Sequence, residues 1–249
     1  MGSLSVFKIK NYQKNDLTQE KIITSYQKGL NDYDEFEELA TPISILKKLN
    51  YDENNGIVNY NVIHYSDTIN HPVRIYWENI SEEDILPASQ KITKGTRTIE
   101  KGYQEIYTFD VIINFKTDEM FIFTKKEIAY SLIKRLKNSK KLDFEVIEFD
   151  LTKIEEVKGF DNIWGLWEDG VGKCKKKAYF GTEVQKEEEV KRENVTSYNA
   201  EFTYLNNSID LVVCKEGRIS SRSSSVANAD LIRIYNNLKE SLGKDKADA

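Results

Sequence analysis

The chain has 249 residues, 36 basic and 41 acidic, for a formal net charge of −5; apolar residues make up 39% and charged residues 31%. With 14 Tyr and 11 Phe there is enough aromatic mass for a core, which excludes a disordered chain, and 12 Gly with 3 Pro exclude a collagen or a linker. The longest apolar runs are a few residues, as in Val111-Ile112-Ile113, far short of the roughly 20 that a membrane-crossing helix needs.

The opening, MGSLSVFKIKNYQ, has no apolar stretch of signal-peptide length, and Met1-Gly2-Ser3 reads as a cloning remnant. Val6 or Phe7 stands where a myristoylation signal needs Ser or Thr. Cys174 and Cys214 do not make a disulfide scaffold. Reduced cysteines and a cytoplasmic location are therefore expected, and the sequons at Asn194 and Asn206 are read as coincidence.

Charge divides the chain. Residues 1–124 hold 13 basic and 19 acidic side chains, and residues 125–249 hold 23 and 22. Two regions are expected: an acidic, mixed region over 1–104, and an α+β region over 105–249, either separate or continuous. Asp16 is placed to cap a helix through about Leu30, with Leu17, Ile22, Ile23, Tyr26 and Leu30 as its apolar face. Pro42 suits the first turn of a short helix over Ile43–Leu49. Asn54-Asn55-Gly56 is a turn. Val, Ile, Tyr and Trp content marks strands at 57–65 and 73–77. A helical turn is expected over 81–86, and a loop or strand start over 91–102.

The middle of the chain has the clearest pattern. Ile106–Lys116 reads as a strand, Thr117-Asp118 as its turn and Glu119–Phe123 as the return strand. Thr124 and Glu127 have capping-box spacing for a helix whose stripe is Ile128, Leu132, Ile133 and Leu136. A strand over 144–150 and a second box at Thr152 and Glu155 follow. After a strand over 200–205, the order strand, turn, strand, helix recurs: 209–215, Glu216-Gly217, 218–223 and a helix over about 227–242. The expected fold class is α+β, with antiparallel sheets, helices packed on one side and a weak duplication of this unit.

Several chemistries lack their residues. His64 and His71, seven apart, do not have metal-ligand spacing, and Asp32-Tyr33-Asp34 lacks the rest of a calcium loop. There is no GxSxG elbow and no phosphate-binding glycine motif; Gly170-Val171-Gly172-Lys173 is the nearest approach. A metal-dependent nuclease could use Asp110, Asp118 and Glu119 beside Lys116 and Lys125, but Asn114 stands where a restriction-type triplet needs an acid. No cofactor is expected.

Basic clustering is the strongest feature outside the core. One cluster comprises Lys125, Lys126, Lys134, Arg135 and Lys137, with Lys140 and Lys141 beyond; a second comprises Lys173, Lys175, Lys176 and Lys177; Arg218 and Arg222 lie among serines with Lys215. Converging faces of this kind neutralise phosphates. Trp164 and Trp167 are large, and each indole seeks an N–H partner, so one of them could serve as a binding hot spot. The expected function is a non-catalytic cytoplasmic binding protein that holds DNA or RNA through these clusters, with no membrane. A protein–protein adaptor centred on Trp164 and Trp167, including a homo-oligomer, is the alternative, and the nuclease is a third.

Overall fold

The computed structural model describes residues 2–25, 43–66, 69–76, 90–93, 96–103, 105–170, 175–223 and 226–243, with backbone alone for those between 69 and 103. In chain order the strands are β1 (Gly2–Lys10), β2 (Lys21–Ser25), β3 (Ile43–Asp52), β4 (Ile57–Tyr65), β5 (Ile69–Tyr76), β6 (Gln90–Thr93), β7 (Thr96–Tyr103), β8 (Ile106–Asn114) and β9 (Glu119–Ile122). Helix α1 (Lys126–Lys140) follows, then β10 (Asp143–Val146), β11 (Phe160–Asp169), β12 (Lys176–Phe180), β13 (Val195–Tyr204), β14 (Asn207–Cys214), β15 (Ile219–Ser221) and helix α2 (Asn228–Leu242).

The main sheet has 12 strands in the order β12-β11-β13-β14-β15-β1-β9-β8-β4-β3-β2, with β10 also on β1. Its pairings are antiparallel, so the architecture is mostly antiparallel sheet with two α-helices among the described residues. Strands β5, β7 and β6 form a separate three-stranded sheet. Strands from either side of residue 104 alternate in the main sheet, since β4 pairs β8 from Ile57↔Asn114 to Tyr65↔Ile106.

β1 holds the two ends of this sheet together. Leu4, Ser5, Val6 and Phe7 are all buried. Neighbours on a strand point to opposite faces, so an unbroken buried run needs cover on both. One edge of β1 pairs β9, from Ser5↔Ile122 to Lys8↔Glu119. The other edge pairs β15 at Gly2–Leu4 and then β10 at Phe7–Lys10. Leu4 and Val6 belong to a core with Phe121, Leu211, Val213, Tyr235 and Leu238. Phe7 and Ile9 belong to another with Met120, Ile122, Val111, Leu132 and Leu136. Phe7 meets Tyr130 of α1 edge to face, and Phe121 meets Tyr235 of α2 in the same way. Phe7 is paired with Met120 and Val6 with Phe121. The helices therefore lie on opposite faces of the sheet at β1, which corrects the expectation of helices on one side: each helix follows its own hairpin, and β1 joins the hairpins.

The order strand, turn, strand, helix does recur, as β8-β9-α1 and β14-β15-α2, each helix 15 residues long. In α2 the expected stripe of Leu231, Ile234, Tyr235, Leu238 and Leu242 is buried throughout. The capping boxes do not form. α1 starts after Lys125 without a side-chain cap. The short 3-10 turn Leu151–Glu156 is capped by Asp150, whose Oδ1 accepts from Thr152 N at 3.2 Å and Thr152 Oγ1 at 2.6 Å.

The N-terminal helices are also corrected. Residues 14–17 form a 3-10 turn, and 21–25 form strand β2. Ile22, Ile23 and Thr24 are β-branched, which costs a helix side-chain freedom and suits a pleated surface. Ile22 is buried and Ile23 exposed, the alternation of a strand. Ile43–Leu49 is likewise strand, with Ser44 and Leu46 turned inward and Leu49 outward. Pairing with β4 along the whole segment prevails over the helical start signal at Pro42. The 91–102 segment is largely strand, in β6 and β7. The expected helical turn at 81–86 and Asp32, Asp34, Glu82, Glu83 and Asp84 lie outside the described residues.

Candidate functional site

The C-terminal sheet, β12-β11-β13-β14-β15, packs one face on α2. Its other face presents polar and aromatic side chains. Residues Tyr198, Ala200 and Phe202 of β13 and Ile209, Leu211 and Val213 of β14 point into the α2 core. By alternation, Ser197, Asn199 and Val212 face the other way, and Asn199 pairs with both Gly165 and Val212.

Trp164 and Trp167 are three apart, which on a regular strand would send them to opposite faces. A β-bulge removes the conflict. Ile163 pairs with Ala200 and Gly165 with Asn199, so Trp164 is an extra residue in the ladder. Such a bulge re-aims side chains, and both tryptophans come to the open face. The guanidinium of Arg222 lies 5.0 Å from the Trp164 ring centre. Phe180, on edge strand β12, meets Trp167 edge to face at 5.5 Å. Phe180 is 64% exposed.

A pocket of about 410 Å³ opens here, lined by Trp167, Lys176, Asn199, Arg218, Ser220 and Arg222 among others. Three cations and no acid are among the described lining residues. Arg218 donates through Nη2 to Cys214 Sγ at 2.9 Å, and its Nε stands 3.6 Å from Glu216. The same carboxylate takes Lys126, at the start of α1, at 2.6 Å. Burial pushes the Cys214 thiol pKa up, so the sulfur is held as a thiol.

The basic residues expected to converge do so only in part. Lys176, Arg218 and Arg222 share the pocket with Trp167, and Trp164 lies under Arg222. Lys126 is joined to Arg218 through Glu216. Lys125 is exposed beside it. Lys134 and Lys137 are exposed further along α1, about 12 and 16 Å beyond Lys126 at the helical rise per residue. Lys175 is exposed before β12. Lys177 points to the opposite face and stands 3.6 Å from buried Glu168. Lys173 lies outside the described residues.

Arg135 is a correction. It is 1% exposed, and its Nη1 donates to Ile43 O at 2.8 Å and Ser44 Oγ at 2.9 Å. Ser44 Oγ is 2.8 Å from His64 Nδ1. This arginine is a buried link between α1 and β3, on the arc of α1 that also carries Leu132, and it is absent from any surface cluster.

The candidate nuclease acids are not brought together. Asp110 accepts from Asn61 and Asn228, each at 3.3 Å. Asp118 accepts from Tyr12. Glu119 is buried against Tyr235 and Lys239, at 3.2 and 2.7 Å. Glu119 pairs with Asn114, four residues along β8 from Asp110. That is about 13 Å at the strand rise. Among the described residues no three of His, Cys, Asp and Glu are grouped to hold a metal ion, and no helix is long and apolar enough to cross a membrane.

Asn199, Gly165 and Phe180 are site residues that the sequence reading misses. Ser197, Asn199 and Glu201 alternate with Tyr198 and Ala200 as on any solvated strand face, so nothing sets Asn199 apart. No protein-family model matches this sequence, and no curated protein matches it.

Proposed function

We propose that this chain is a cytoplasmic binding protein, without catalysis of its own, that holds single-stranded nucleic acid on the open face of its C-terminal sheet. The observation that carries this reading is the meeting of Trp167 with Lys176, Arg218 and Arg222 around one pocket, beside Trp164. Unpaired bases stack on aromatic rings while cations follow the phosphates. A duplex hides its base faces, so a concave aromatic site favours a single strand. The net charge of −5 does not oppose this, because the acidity is concentrated before residue 125.

Fluorescence anisotropy with labelled RNA and DNA oligomers tests the reading. Binding should weaken steeply with salt, with a log–log slope of roughly −0.7 for each phosphate neutralised. Arg222→Glu combined with Lys176→Glu should weaken binding at least about tenfold and flatten that slope. Binding that ignores both salt and these variants would refute it.

One observation favours the adaptor reading: Phe180 is exposed on an edge strand, beside Trp167. A protein partner seated there would be lost in Phe180→Ala while oligomer binding persisted.

A further inference from the structure

Asn199 is out of place chemically. It is 1% exposed, and neither Oδ1 nor Nδ2 has a hydrogen-bond partner. A buried amide without partners gives up its hydration for nothing in return, and native proteins keep few such groups. Its cross-strand neighbours cannot help. Gly165 has no side chain, and Val212 has no polar side-chain atom. Gly165 also lets the strands crowd the amide: a Cβ there would stand 3.3 Å from Asn199 Nδ2. Yet Asn199 lines the pocket beside Trp167 and Arg222. An unpaired amide in a cationic, aromatic pocket needs a ligand with its own donor and acceptor side by side.

We infer that Asn199 grips the edge of one unstacked base through a bidentate hydrogen-bonded pair. The inference rests on the reading that the open face holds a single strand. An asparagine amide offers one acceptor next to donors. Adenine places an acceptor beside its N6 amino group on both edges, N1 on one and N7 on the other, so either edge satisfies the amide in a bidentate pair. Guanine (N1–H beside O6), cytosine (N4–H beside N3) and uracil (N3–H beside O4) each present the same kind of pair on the Watson–Crick edge, so the amide grips an unstacked base of any kind. A pocket of about 410 Å³ lies in the range of small-ligand sites. Trp167 supplies a ring for the face of the base. Lys176 and Arg222 supply charge for the flanking phosphates.

The polar atoms of Asn199 have no solvent contact, so the base enters only when rim side chains give way. Arg222 is exposed and rests on Trp164 through a long, rotatable stem. Its guanidinium moves from the indole to a phosphate as the strand binds, and Trp164 fluorescence changes with it.

The test compares an eight-nucleotide oligo-A with an abasic strand of the same length, by anisotropy at one low salt concentration. The wild-type protein should bind oligo-A at least about tenfold more tightly than the abasic strand. Asn199→Leu has similar size and removes both polar groups. It should weaken oligo-A binding about tenfold and raise the melting temperature, because an unsatisfied amide is gone. Oligo-A binding undiminished in folded Asn199→Leu would overturn the inference while leaving the proposed function standing. Equal wild-type affinities for the two strands would also overturn it. No binding of either strand would overturn both readings. Asn199→Ala gives the same comparison should the leucine variant fail to fold.

Discussion

His64 shows how much one buried side chain can set. It is fully buried, and its Nδ1 faces Ser44 Oγ at 2.8 Å and Arg135 Nη1 at 3.3 Å. Both of those groups donate, so the neutral ring carries its proton on Nε2, which has no partner. Burial first, and the Arg135 charge second, push its pKa down to about 3. In the unfolded chain the same ring titrates near 6.5. Between these values the unfolded state binds the extra proton, so stability is lost as pH falls through that window. The slope approaches about 1.4 kcal/mol per pH unit. Denaturation midpoints measured from pH 7 to pH 5 should fall for the wild type and stay nearly flat for His64→Gln. An equally steep fall in the variant would place the sensitivity elsewhere. Arg135 belongs to the same cluster, so a charge reversal there reports on folding rather than on nucleic-acid binding. Its burial was legible in part: it stands one turn from Leu132, where a helical wheel begins to face inward.

At the scale of elements, the turns set the geometry of the site. Gly217, between β14 and β15, has φ +65°, and a Cβ there would come 2.5 Å from Ile147 O. Gly217→Ala should therefore cost about 2 kcal/mol or more by chemical denaturation, with weakened oligomer binding because Glu216 and Arg218 flank the turn. A loss below about 0.5 kcal/mol would mean the loop relaxes freely. The C-terminal elements were readable because local signals agree: Ile209–Lys215, a glycine turn and a five-residue apolar stripe in α2 all point one way. The N-terminus misled because Leu17, Ile22 and Ile23 fit a partial helical stripe, while the partner that makes Ile22 and Ile23 a strand, β3, lies more than twenty residues on. The bulge at Trp164 was not legible, since it arises from the register of β11 against β13. The same holds for the site itself: its cations and tryptophans could be named from the sequence, but their convergence depends on strand pairing.

For the whole molecule, the dual role of β1 predicts cooperative unfolding. Leu4 packs in the α2 core and Phe7 in the α1 core. Truncating either to alanine should cost about 3 kcal/mol. Trp164 and Trp167 both sit in the C-terminal sheet, so with the third tryptophan removed as Trp77→Phe, tryptophan fluorescence watches only that half. If the halves unfold together, Phe7→Ala should lower the fluorescence midpoint as much as the midpoint by circular dichroism. A fluorescence midpoint that ignores Phe7→Ala would show two independent units. The register of β1 also governs how the chain reaches its fold. Leu4 is paired across the sheet with Ile219, more than two hundred residues away. Contacts so distant in sequence close late and slow the folding rate. On the ribosome, the Gly2–Leu4 end of the first strand has to wait for nearly the last one, its edge open to neighbouring chains after β9 and β10 have already been made. The strand that unites the finished molecule is thus its main aggregation hazard while it is being made, and the segment that a folding chaperone has most reason to hold.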